Sequence, residues 1–324
     1  MMIDLKPDLF ADIEIKSLLE DGCEDGSQTV EDFLYALISL YEPCPDGNPL
    51  VTALVEDWQI LANAASLDYV LGRMGNPFHL DDNVRYKAEY QNYLQTWKDV
   101  KEEVKTNTRF FCHLGAIADV LGEYDMDNDS LQLFKDDKYY RARVHHKDEP
   151  AFSANDMGCP KDPILATPGR ANPRGISYLY LCGDDQTPFY EVRPYYLDRV
   201  DIGEFLIQED ELKIVDFTEK VNLFKVFYDE GEDAFKQKVK RRVLFDAFSG
   251  DLSKPLRSFD SELEYIPTQY ICEYFKDSGA DGIMFQSSVR EDGKNLVLFY
   301  PDKAKCVEVH PYEVSEIWID RKNV

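Results

Sequence analysis

The segment at residues 169–193 constrains the fold of this chain most strongly, because it combines a turn, an apolar run and a helix start within a short stretch. It begins with a turn-rich patch at 169–175, Gly-Arg-Ala-Asn-Pro-Arg-Gly, which carries two arginines and one asparagine. The apolar run at 178–182 follows, and its length and aromatic content predict a buried strand. The sequence therefore predicts an arginine-bearing loop that leads into a strand.

The second half of the same segment predicts a helix. Thr187 is followed by Pro188, a pair typical of an N-cap and the first helical position. Glu191 is then expected in the first turn of the helix, where the positive end of the helix dipole favours an ionised carboxylate. One compact unit would thus bring guanidinium, phenol and carboxylate groups together. The structural alternative is a strand, a turn and a helix with ordinary surface charges.

The part of the chain from residue 133 onward alternates short apolar runs with turns, and we interpret residues 133–324 as one α+β domain. Helices are predicted at 232–249, where Ser249-Gly250 ends the pattern, and at 267–277, which begins with Pro267. Strands are predicted at 138–144, 177–182, 200–206, 212–217, 281–286, 295–300 and 306–309.

The preceding part, residues 1–132, is predicted to be a helical domain. Apolar residues recur at helical spacing within 27–41, 50–65 and 84–105, and prolines and a glycine at 43–47 predict a turn after the first helix. This part holds 9 Lys and Arg against 26 Asp and Glu, a net charge of −17. We therefore expect an acidic, solvated surface on this domain.

The formal net charge of the whole chain is −26, which argues against a nucleic-acid backbone as the partner because phosphates would be repelled. Hydrophobic residues make up 44% of the chain, enough to bury a core. The seven cysteines form no CxxC pair, and the N-terminus shows no basic stretch followed by an apolar one. Since no apolar run reaches the length of a membrane span, we expect a cytoplasmic protein with free thiols.

Three pieces of the central segment, GRANPRG, SYLYL and TPFYEVRP, resemble the central motif of the RES domain family, which is named after its Arg, Glu and Ser residues. Other pieces resemble family motifs in the same order: YYRARV at 139–144, ADGIMFQSS at 280–288 and NLVLF at 295–299. The resemblance covers roughly residues 135–310. It implies that a helical N-terminal domain is followed by an ADP-ribosyltransferase-like domain with a split mixed β core.

The resemblance also implies which side chains act on NAD, the substrate of several family members. Arginine suits the NAD diphosphate because its planar fork binds phosphate bidentately. A carboxylate can accept hydrogen bonds from ribose and stabilise the positive charge that develops as the glycosidic bond breaks. The implied catalytic residues are Glu191, Arg170 and Ser287, and the implied NAD-binding residues are Arg141, Arg143, Tyr180, Ser288 and Asn172. Asn295 is a weaker candidate.

Two choices within this set stay open. Strand alternation puts Arg141 and Arg143 on the same face, so either could match the family's arginine. Ser287 and Ser288 both follow an apolar strand, so either could supply the family's serine. Structural ion pairing with nearby acids is the alternative role for the arginines, and no metal is implied.

The resemblance implies an NAD glycohydrolase or phosphorylase that acts as a bacterial toxin or defence effector. The first alternative is a mono-ADP-ribosyltransferase that modifies a protein or nucleic acid, and it would use the same NAD pocket. The second is a non-enzymatic, acidic interaction protein. An antitoxin or regulatory protein that binds the N-terminal domain is the expected macromolecular partner, with no role for a membrane.

Overall fold

The computed structural model describes residues 32–54 without 34 and 51, residue 79, and residues 81–316 without 146–148, 161, 220, 255–261 and 291. This described chain divides into two units. One holds the described residues up to Gln95 together with those within Lys220–Val243. The other holds the described residues within Thr96–Glu219 and Leu244–Val324.

The second unit is built around a mixed sheet of eight strands in the order β10-β6-β4-β5-β9-β8-β7-β3. β7 and β8 are parallel, whereas the other neighbouring strands are antiparallel. Helices and a mixed sheet together confirm the predicted α+β class. The strands are β3 (Leu131–Phe134), β4 (Lys138–His145), β5 (Leu179–Cys182), β6 (Arg199–Ile207), β7 (Glu211–Asp216), β8 (Gly282–Gln286), β9 (Lys294–Leu298) and β10 (Ala304–Glu313).

The sheet is split between β4 and β5. These two strands are joined only at Tyr140 and Cys182, whereas β4 pairs with β6 along its whole length and β5 pairs with β9 along its own. Because the strands diverge on either side of this one pair, their side chains can border open space. The split separates the group β10-β6-β4 from the group β5-β9-β8-β7-β3.

The predicted strands correspond to β4–β10, with ends that differ by a few residues. The largest difference is at β10, which covers 304–313 instead of 306–309. β3 was not predicted, because only Leu133 of its four residues is buried and Phe134 is half exposed at the sheet edge. A short edge strand of this kind carries a weak apolar signal.

Helices supply an aromatic part of the core of the second unit. The helix predicted at 232–249 is observed over Glu232–Ser253, and the one predicted at 267–277 is observed over Ile266–Asp277. Rings at edge-to-face or tilted angles pack together here, with centroids 4.8 to 6.2 Å apart. They belong to Trp97, Tyr124, Phe217, Phe245, Phe248 and Phe275.

The helices are labelled from Ala88 onward. No helix in the described part of the chain is long and apolar enough to cross a membrane. The sequence did not predict the helices at Ile117–Gly122 and Leu223–Glu230. The helices are α1 (Ala88–Thr106), α2 (Ile117–Gly122), α3 (Thr187–Val192), α4 (Leu223–Glu230), α5 (Glu232–Ser253) and α6 (Ile266–Asp277).

The first unit contains a strand pair where the sequence predicts a turn and the start of a long helix. β1 (Tyr41–Pro49) pairs with β2 (Asn83–Tyr86), with a register shift between Pro43 and Asn48. The shift accommodates the prolines, which cannot donate to a strand ladder. At Gly47 a Cβ would lie 2.1 Å from the Val84 carbonyl oxygen, so the strands approach each other too closely for any other residue. The predictions of a turn at 43–47 and of a helix beginning at 84 are therefore wrong.

Helical backbone occurs at 32–33, 35–38, 50 and 52–54, and the remainder of the predicted helices at 27–41 and 50–65 lies outside the described residues, apart from turn or strand at 39–41. The buried residues of this unit form one cluster that includes Leu37, Leu54 and Phe235. Phe235 belongs to α5, so residues distant in sequence complete this core. The contacts thus define units that differ from the predicted division at residue 132, and that boundary stays a prediction.

Candidate functional site

The arginine-bearing loop at 169–175 is held in one conformation by hydrogen bonds to its backbone. Tyr180 of β5 accepts from the Ala171 backbone N–H at 3.1 Å and donates to Asn172 Oδ1 at 2.7 Å. Gln269 Nε2 of α6 donates to the carbonyls of Gly169, at 2.7 Å, and Asn172. Thr268 Oγ1 donates to the Arg170 carbonyl at 2.6 Å. The loop is therefore fixed by the strand that follows it and by the first turn of α6.

Glycine is required at Gly169 because the loop passes close to the tyrosine. A Cβ at this position would lie 2.5 Å from Tyr180 Oη and 2.6 Å from Asn172 Oδ1. Asn172 is 4% exposed, and its Nδ2 donates to carbonyls of the surrounding loop, including that of Ile176 at 2.8 Å. Tyr180 and Asn172 thus have an observed structural role, while their implied contacts with NAD stay a prediction.

Helix α3 carries Glu191, but in a different part of the helix from the one predicted. The helix covers only Thr187–Val192, so Glu191 is in its last turn, and the expected stabilisation by the positive end of the helix dipole does not apply. The N-cap is Gln186, one residue before the predicted Thr187. Asp184 performs the capping instead, since its carboxylate accepts from the backbone N–H groups of Gln186 and Thr187 at 2.9 and 2.8 Å.

The Glu191 carboxylate is positioned by two side chains from the other half of the site. Its Oε1 accepts from Ser287 Oγ at 2.8 Å and from Asn295 Nδ2 at 2.7 Å. Ser287 is 4% exposed, whereas Glu191 is exposed. Cys182 Sγ in turn donates to Asn295 Oδ1 at 3.3 Å, and burial raises the pKa of this thiol, which keeps it protonated as a donor. An exposed carboxylate is thus held in one orientation.

A cavity of about 370 Å³, which we call the central cavity, lies where β4 and β5 diverge. Glu191 contributes a carboxylate to the described lining, and Arg141, Arg170 and Arg193 contribute three guanidinium groups. The cavity is therefore cationic in a chain whose formal net charge is −26. The lining residues are Tyr140, Arg141, Ala142, Arg170, Tyr180, Leu181, Cys182, Pro188, Glu191, Val192, Arg193, Leu252, Ser253, Phe285, Ser288 and Asn295.

Arg170 reaches this cavity from the loop and is anchored to backbone. Its Nη1 donates to the carbonyl of Leu252 in the last turn of α5, where carbonyls have no partner within the helix. Burial lowers the pKa of Arg170, and the nearby Tyr265 and Glu191 act in the opposite direction. Among the described residues it forms no salt bridge, so the alternative of a structural ion pair is not observed for this arginine.

A second cavity of about 450 Å³, which we call the adjoining cavity, shares Arg141, Ala142, Tyr180 and Val192 with the central one. Arg143 lines only the adjoining cavity, as does Asn172. The open choice between the two arginines thus has a geometric counterpart: Arg141 borders both cavities and Arg143 borders one.

The two serines also occupy different positions. Ser288 lines the central cavity. Ser287 instead contacts Glu191, and its Oγ accepts from the Val289 backbone N–H at 3.2 Å. The geometry therefore gives Ser287 a role in orienting the carboxylate and leaves Ser288 accessible to a ligand.

Three residues of the site were not assigned to it from the sequence. Arg193 ends α3 in a left-handed conformation, with φ of 47°. Asp184 binds both the start of α3 and the side chain of Arg290, which follows the two serines in the chain. Asn295 was only a minor candidate. The motif TPFYEVRP contains Arg193 and could have indicated it, whereas the contacts of Asp184 depend on a loop distant in sequence.

No group of side chains suited to hold a metal ion occurs among residues with described positions.

Comparison with known proteins places this chain in a family. The family model described as RES domain matches residues 138–319, more than half of the chain. No curated protein matches the sequence. Among solved structures, a chain of the M. tuberculosis MbcT-MbcA toxin-antitoxin complex is similar with a TM-score of 0.32 and 11% identity, covering 60% of this chain and 91% of that one. The match to the family model, which includes the strands and helices that form both cavities, shows that the chain belongs to the RES domain family.

Proposed function

We propose that the protein consumes NAD by breaking the bond between nicotinamide and its ribose, and that it acts as a toxin. The observation that carries the proposal is the Glu191 carboxylate, oriented by Ser287 and Asn295 beside a cavity lined with guanidinium groups. Membership of the RES domain family supports it, because the family resemblance implies NAD as substrate. The three arginines are suited to the two negative charges of the NAD diphosphate.

Glu191 supports cleavage by stabilising positive charge on the ribose. When the bond between C1′ and the nicotinamide nitrogen breaks, its electron pair moves to nicotinamide and neutralises the pyridinium ring. The ribose then acquires oxocarbenium character, which a nearby carboxylate stabilises. Hydrogen bonds from Ser287 and Asn295 fix the carboxylate before the reaction, so little reorganisation is needed in the transition state. An oxygen of water or phosphate completes the reaction by bonding to C1′.

Tyr180 supports this chemistry through the loop. Its hydroxyl is engaged by Ala171 and Asn172, and burial raises its pKa, so it stays neutral. The residue lines both cavities and can pack against a ribose or a ring. Arg170 is held by the same loop, so Tyr180 positions this arginine as well.

An antitoxin is part of the proposal, because an NAD-consuming toxin requires restraint in the cell that makes it. We place the activity in the cytoplasm, where NAD is available to it. A regulatory protein would need only to cover the central cavity or to bind the acidic N-terminal part. Co-expression with a candidate antitoxin, followed by measurement of NAD loss, tests this part separately.

The decisive experiment measures NAD loss with the purified protein and with Glu191→Gln. The variant keeps the shape of the side chain but loses its charge, so we expect a fall in turnover of at least about 100-fold, or roughly 2.7 kcal/mol of transition-state stabilisation. Glu211→Gln, an exposed position at the start of β7, is the matched control and should retain full activity. Undiminished turnover by Glu191→Gln would contradict the proposal.

The same assay with labelled NAD separates the possible acceptors. Free ADP-ribose indicates hydrolysis, and its phosphate ester, formed only when phosphate is added, indicates phosphorolysis. Label on a protein or nucleic acid indicates a mono-ADP-ribosyltransferase. Absence of NAD loss with every acceptor would favour the non-enzymatic alternative.

A further inference from the structure

The last turn of α5 is bonded to the end of β8, directly before the two serines of the site. Among the described residues, β7 pairs with β8 only as far as Met284, so the strand ladder on that side ends two residues before Gln286. Side chains of a helix bind the backbone of Gln286 instead. They belong to Ser249 and Ser253, which lie four residues apart and therefore on one face of α5.

The two helix serines bind both polar groups of the Gln286 backbone. Ser249 Oγ accepts from the Gln286 N–H at 3.2 Å, and Ser253 Oγ donates to the Gln286 carbonyl. Ser253 Oγ also lies 2.7 Å from the Ser249 carbonyl of its own helix, so its single proton is shared between two acceptors. Because Ser249 is only 7% exposed, water has little access to replace its contact.

Ser287 is bound from the opposite side of β8. Its backbone N–H donates to the Gly293 carbonyl at 2.8 Å, and its Oγ donates to Glu191 Oε1 at 2.8 Å. Gln286 is therefore held by α5, and Ser287 by the chain that leads into β9. Since consecutive residues share a planar peptide bond, the position of Gln286 helps to set where the Ser287 hydroxyl meets the carboxylate.

The same turn of α5 also holds the arginine-bearing loop. Leu252 lies between the two helix serines in the chain, and its carbonyl accepts from Arg170 Nη1. Leu252 and Ser253 both line the central cavity. One helical turn thus binds the segments that carry Arg170 and Ser287.

We infer that Ser249 and Ser253 are positioning residues that place Ser287, and through it the Glu191 carboxylate, an inference that rests on the proposed function. Both lie outside the pieces of sequence that resemble family motifs. Their effect falls on the chemical step more than on NAD binding, because they act through the orientation of the carboxylate. A misplacement of about 1 Å can lower a rate about 100-fold, so a small displacement of Gln286 has a measurable effect.

The first test compares Ser249→Ala and Ser253→Ala with the wild-type full chain in NAD turnover and in calorimetric titration with ADP-ribose. We expect each variant to lower kcat about 5- to 20-fold and to change the ADP-ribose affinity by less than about twofold. Ser278→Ala is the matched control and should keep full activity. The exposed Ser278 donates to the Tyr274 carbonyl one turn back in α6 at 2.9 Å, as Ser253 does within α5, but it does not line the central cavity.

Two further substitutions at residue 253 separate the hydroxyl from the shape of the side chain. Ser253→Thr keeps the hydroxyl and should recover most of the kcat lost in Ser253→Ala. Ser253→Val has the shape of threonine without the hydroxyl and should show the full loss. This pair carries the test even where Ser249→Ala does not fold.

A double-mutant cycle separates positioning through Ser287 from a general structural effect. In a Ser287→Ala background, Ser249→Ala and Ser253→Ala should lower kcat by less than about twofold further, because the hydroxyl that they position is already absent. Full additivity in that background would overturn the inference. So would turnover within about twofold of wild type in Ser249→Ala, Ser253→Ala and Ser253→Val.

Amide hydrogen exchange tests the same contact without any turnover. Ser249→Ala removes the acceptor of the Gln286 N–H, so exchange at Gln286 should become about 10-fold faster or more. Exchange at Leu296, within β9, should stay unchanged. Unchanged exchange at Gln286 would overturn the inference whether or not the protein consumes NAD. Faster exchange in a protein that leaves NAD intact would support the placement of this backbone by α5 and contradict only the proposed reaction.

Discussion

Arg170 is bound to backbone through one guanidinium nitrogen and still presents its positive charge to the central cavity. One nitrogen of its guanidinium group binds the Leu252 carbonyl, while the side chain lines the central cavity beside Glu191. A surface ion pair would contribute only about 0–1 kcal/mol and would not affect catalysis. A guanidinium that binds phosphate contributes more than this to the free energy of substrate binding, and its loss affects NAD specifically.

We expect Arg170→Ala to weaken NAD binding by about 2–3 kcal/mol, or roughly 30- to 150-fold, because a charge-assisted bidentate contact is lost. Arg170→Lys keeps the charge without the fork and should recover only part of this loss. NAD affinity and turnover measured at matched stability provide the test. Arg174→Ala, in the same loop but exposed, is the control. If Arg170→Ala stays within about threefold of wild type, Arg170 does not bind the substrate.

At the residue scale, the sequence brought together most of the site but could not rank similar residues. Arg141, Arg170, Tyr180, Glu191 and Ser288 do line one cavity, as the shared motif implies. The difference between Arg141 and Arg143 depends on where β4 separates from β5, and a periodic pattern does not indicate such a split. Their functional roles stay predictions until variants are measured.

Helix α3 shows how one element depends on a distant loop. Asp184 caps the helix that carries Glu191, and its carboxylate also binds Arg290. Thr187 Oγ1 donates to the same carboxylate at 2.7 Å. A Cβ at Gly293 would lie 2.6 Å from Thr187 Oγ1, so glycine is required there. The cap, the glycine and the arginine therefore set the position of Glu191 relative to Ser287.

We expect Asp184→Asn to lower kcat about 10-fold with little change in NAD affinity, because it misplaces Glu191 without altering the three arginines that line the central cavity. Loss of the cap and of the Arg290 pair should also reduce the free energy of unfolding by about 1–2 kcal/mol. Asp185→Asn is the matched control, since Asp185 is exposed and its carboxylate accepts from the side chain of Gln186 alone among the described residues. An unchanged kcat in Asp184→Asn would show that the cap does not position the carboxylate.

Helices α1 and α5 are joined by a partly buried carboxylate, Asp251. It accepts from Trp97 Nε1 at 2.8 Å and from Lys101 Nζ at 2.7 Å, and Lys254 binds its other oxygen. Burial alone would raise the pKa of Asp251, but the hydrogen bonds from Lys101, Lys254 and Trp97 outweigh it and hold the pKa below its ordinary value.

The direction of this pKa shift predicts that the folded state loses stability at acidic pH. Because the folded pKa is lower than the unfolded one, which is about 3.9, Asp251 stabilises the fold above that value and loses its contribution as the pH falls through the folded pKa. Asp251→Asn should therefore lower the free energy of unfolding at pH 7 by about 1–3 kcal/mol and flatten its dependence on pH below about 4. Denaturant unfolding at several pH values, with the exposed Asp210→Asn as control, measures this. Equal pH dependence in wild type and Asp251→Asn would refute it.

At the element scale, the sequence predicted the regular elements of the RES domain. It gave wrong predictions where close backbone contacts between two strands determine the local structure. Strands β4–β9 and helices α5 and α6 carry apolar residues at strand or helix spacing. β1 contains Pro43 and Pro45, which normally indicate a turn, yet it pairs with β2 through a shift in register. Contacts between strands that lie forty residues apart cannot be inferred from local propensity.

The whole chain combines an excess of acidic residues with two cationic cavities. The formal net charge of −26 repels polyanions, while Arg141, Arg143, Arg170 and Arg193 concentrate positive charge at the cavities of one unit. A small substrate with a doubly charged diphosphate, such as NAD, can use this local field, whereas an extended nucleic-acid backbone would also meet the acidic surface. The charge distribution therefore favours a small anionic substrate.

The division of the whole chain into domains is where the prediction from the sequence differs most from the units that the contacts define. The change from helical to strand-like patterns near residue 132 predicts a boundary there. In the structure, however, Trp97, Ile117 and Tyr124 belong to the same unit as the RES sheet. Trp97 is 2% exposed and packs against Phe248, with ring centroids 4.8 Å apart. A boundary defined by local pattern cannot include such contacts between distant segments.

We therefore expect the fragment 133–324 to be less stable than the full chain, because it lacks the buried Trp97 and Ile117 side chains and the partly buried Tyr124. Removing a single buried tryptophan costs about 3–5 kcal/mol, which is a large fraction of the stability of a typical domain. Thermal and denaturant unfolding of the fragment, the full chain and full-length Trp97→Ala gives the comparison. Tyr35→Ala, an exposed aromatic position in the first unit, is the matched control. If the fragment unfolds cooperatively at the Tm of the full chain, and mild digestion cleaves first at 122–136, the boundary near residue 132 is right and the contact-based division is wrong.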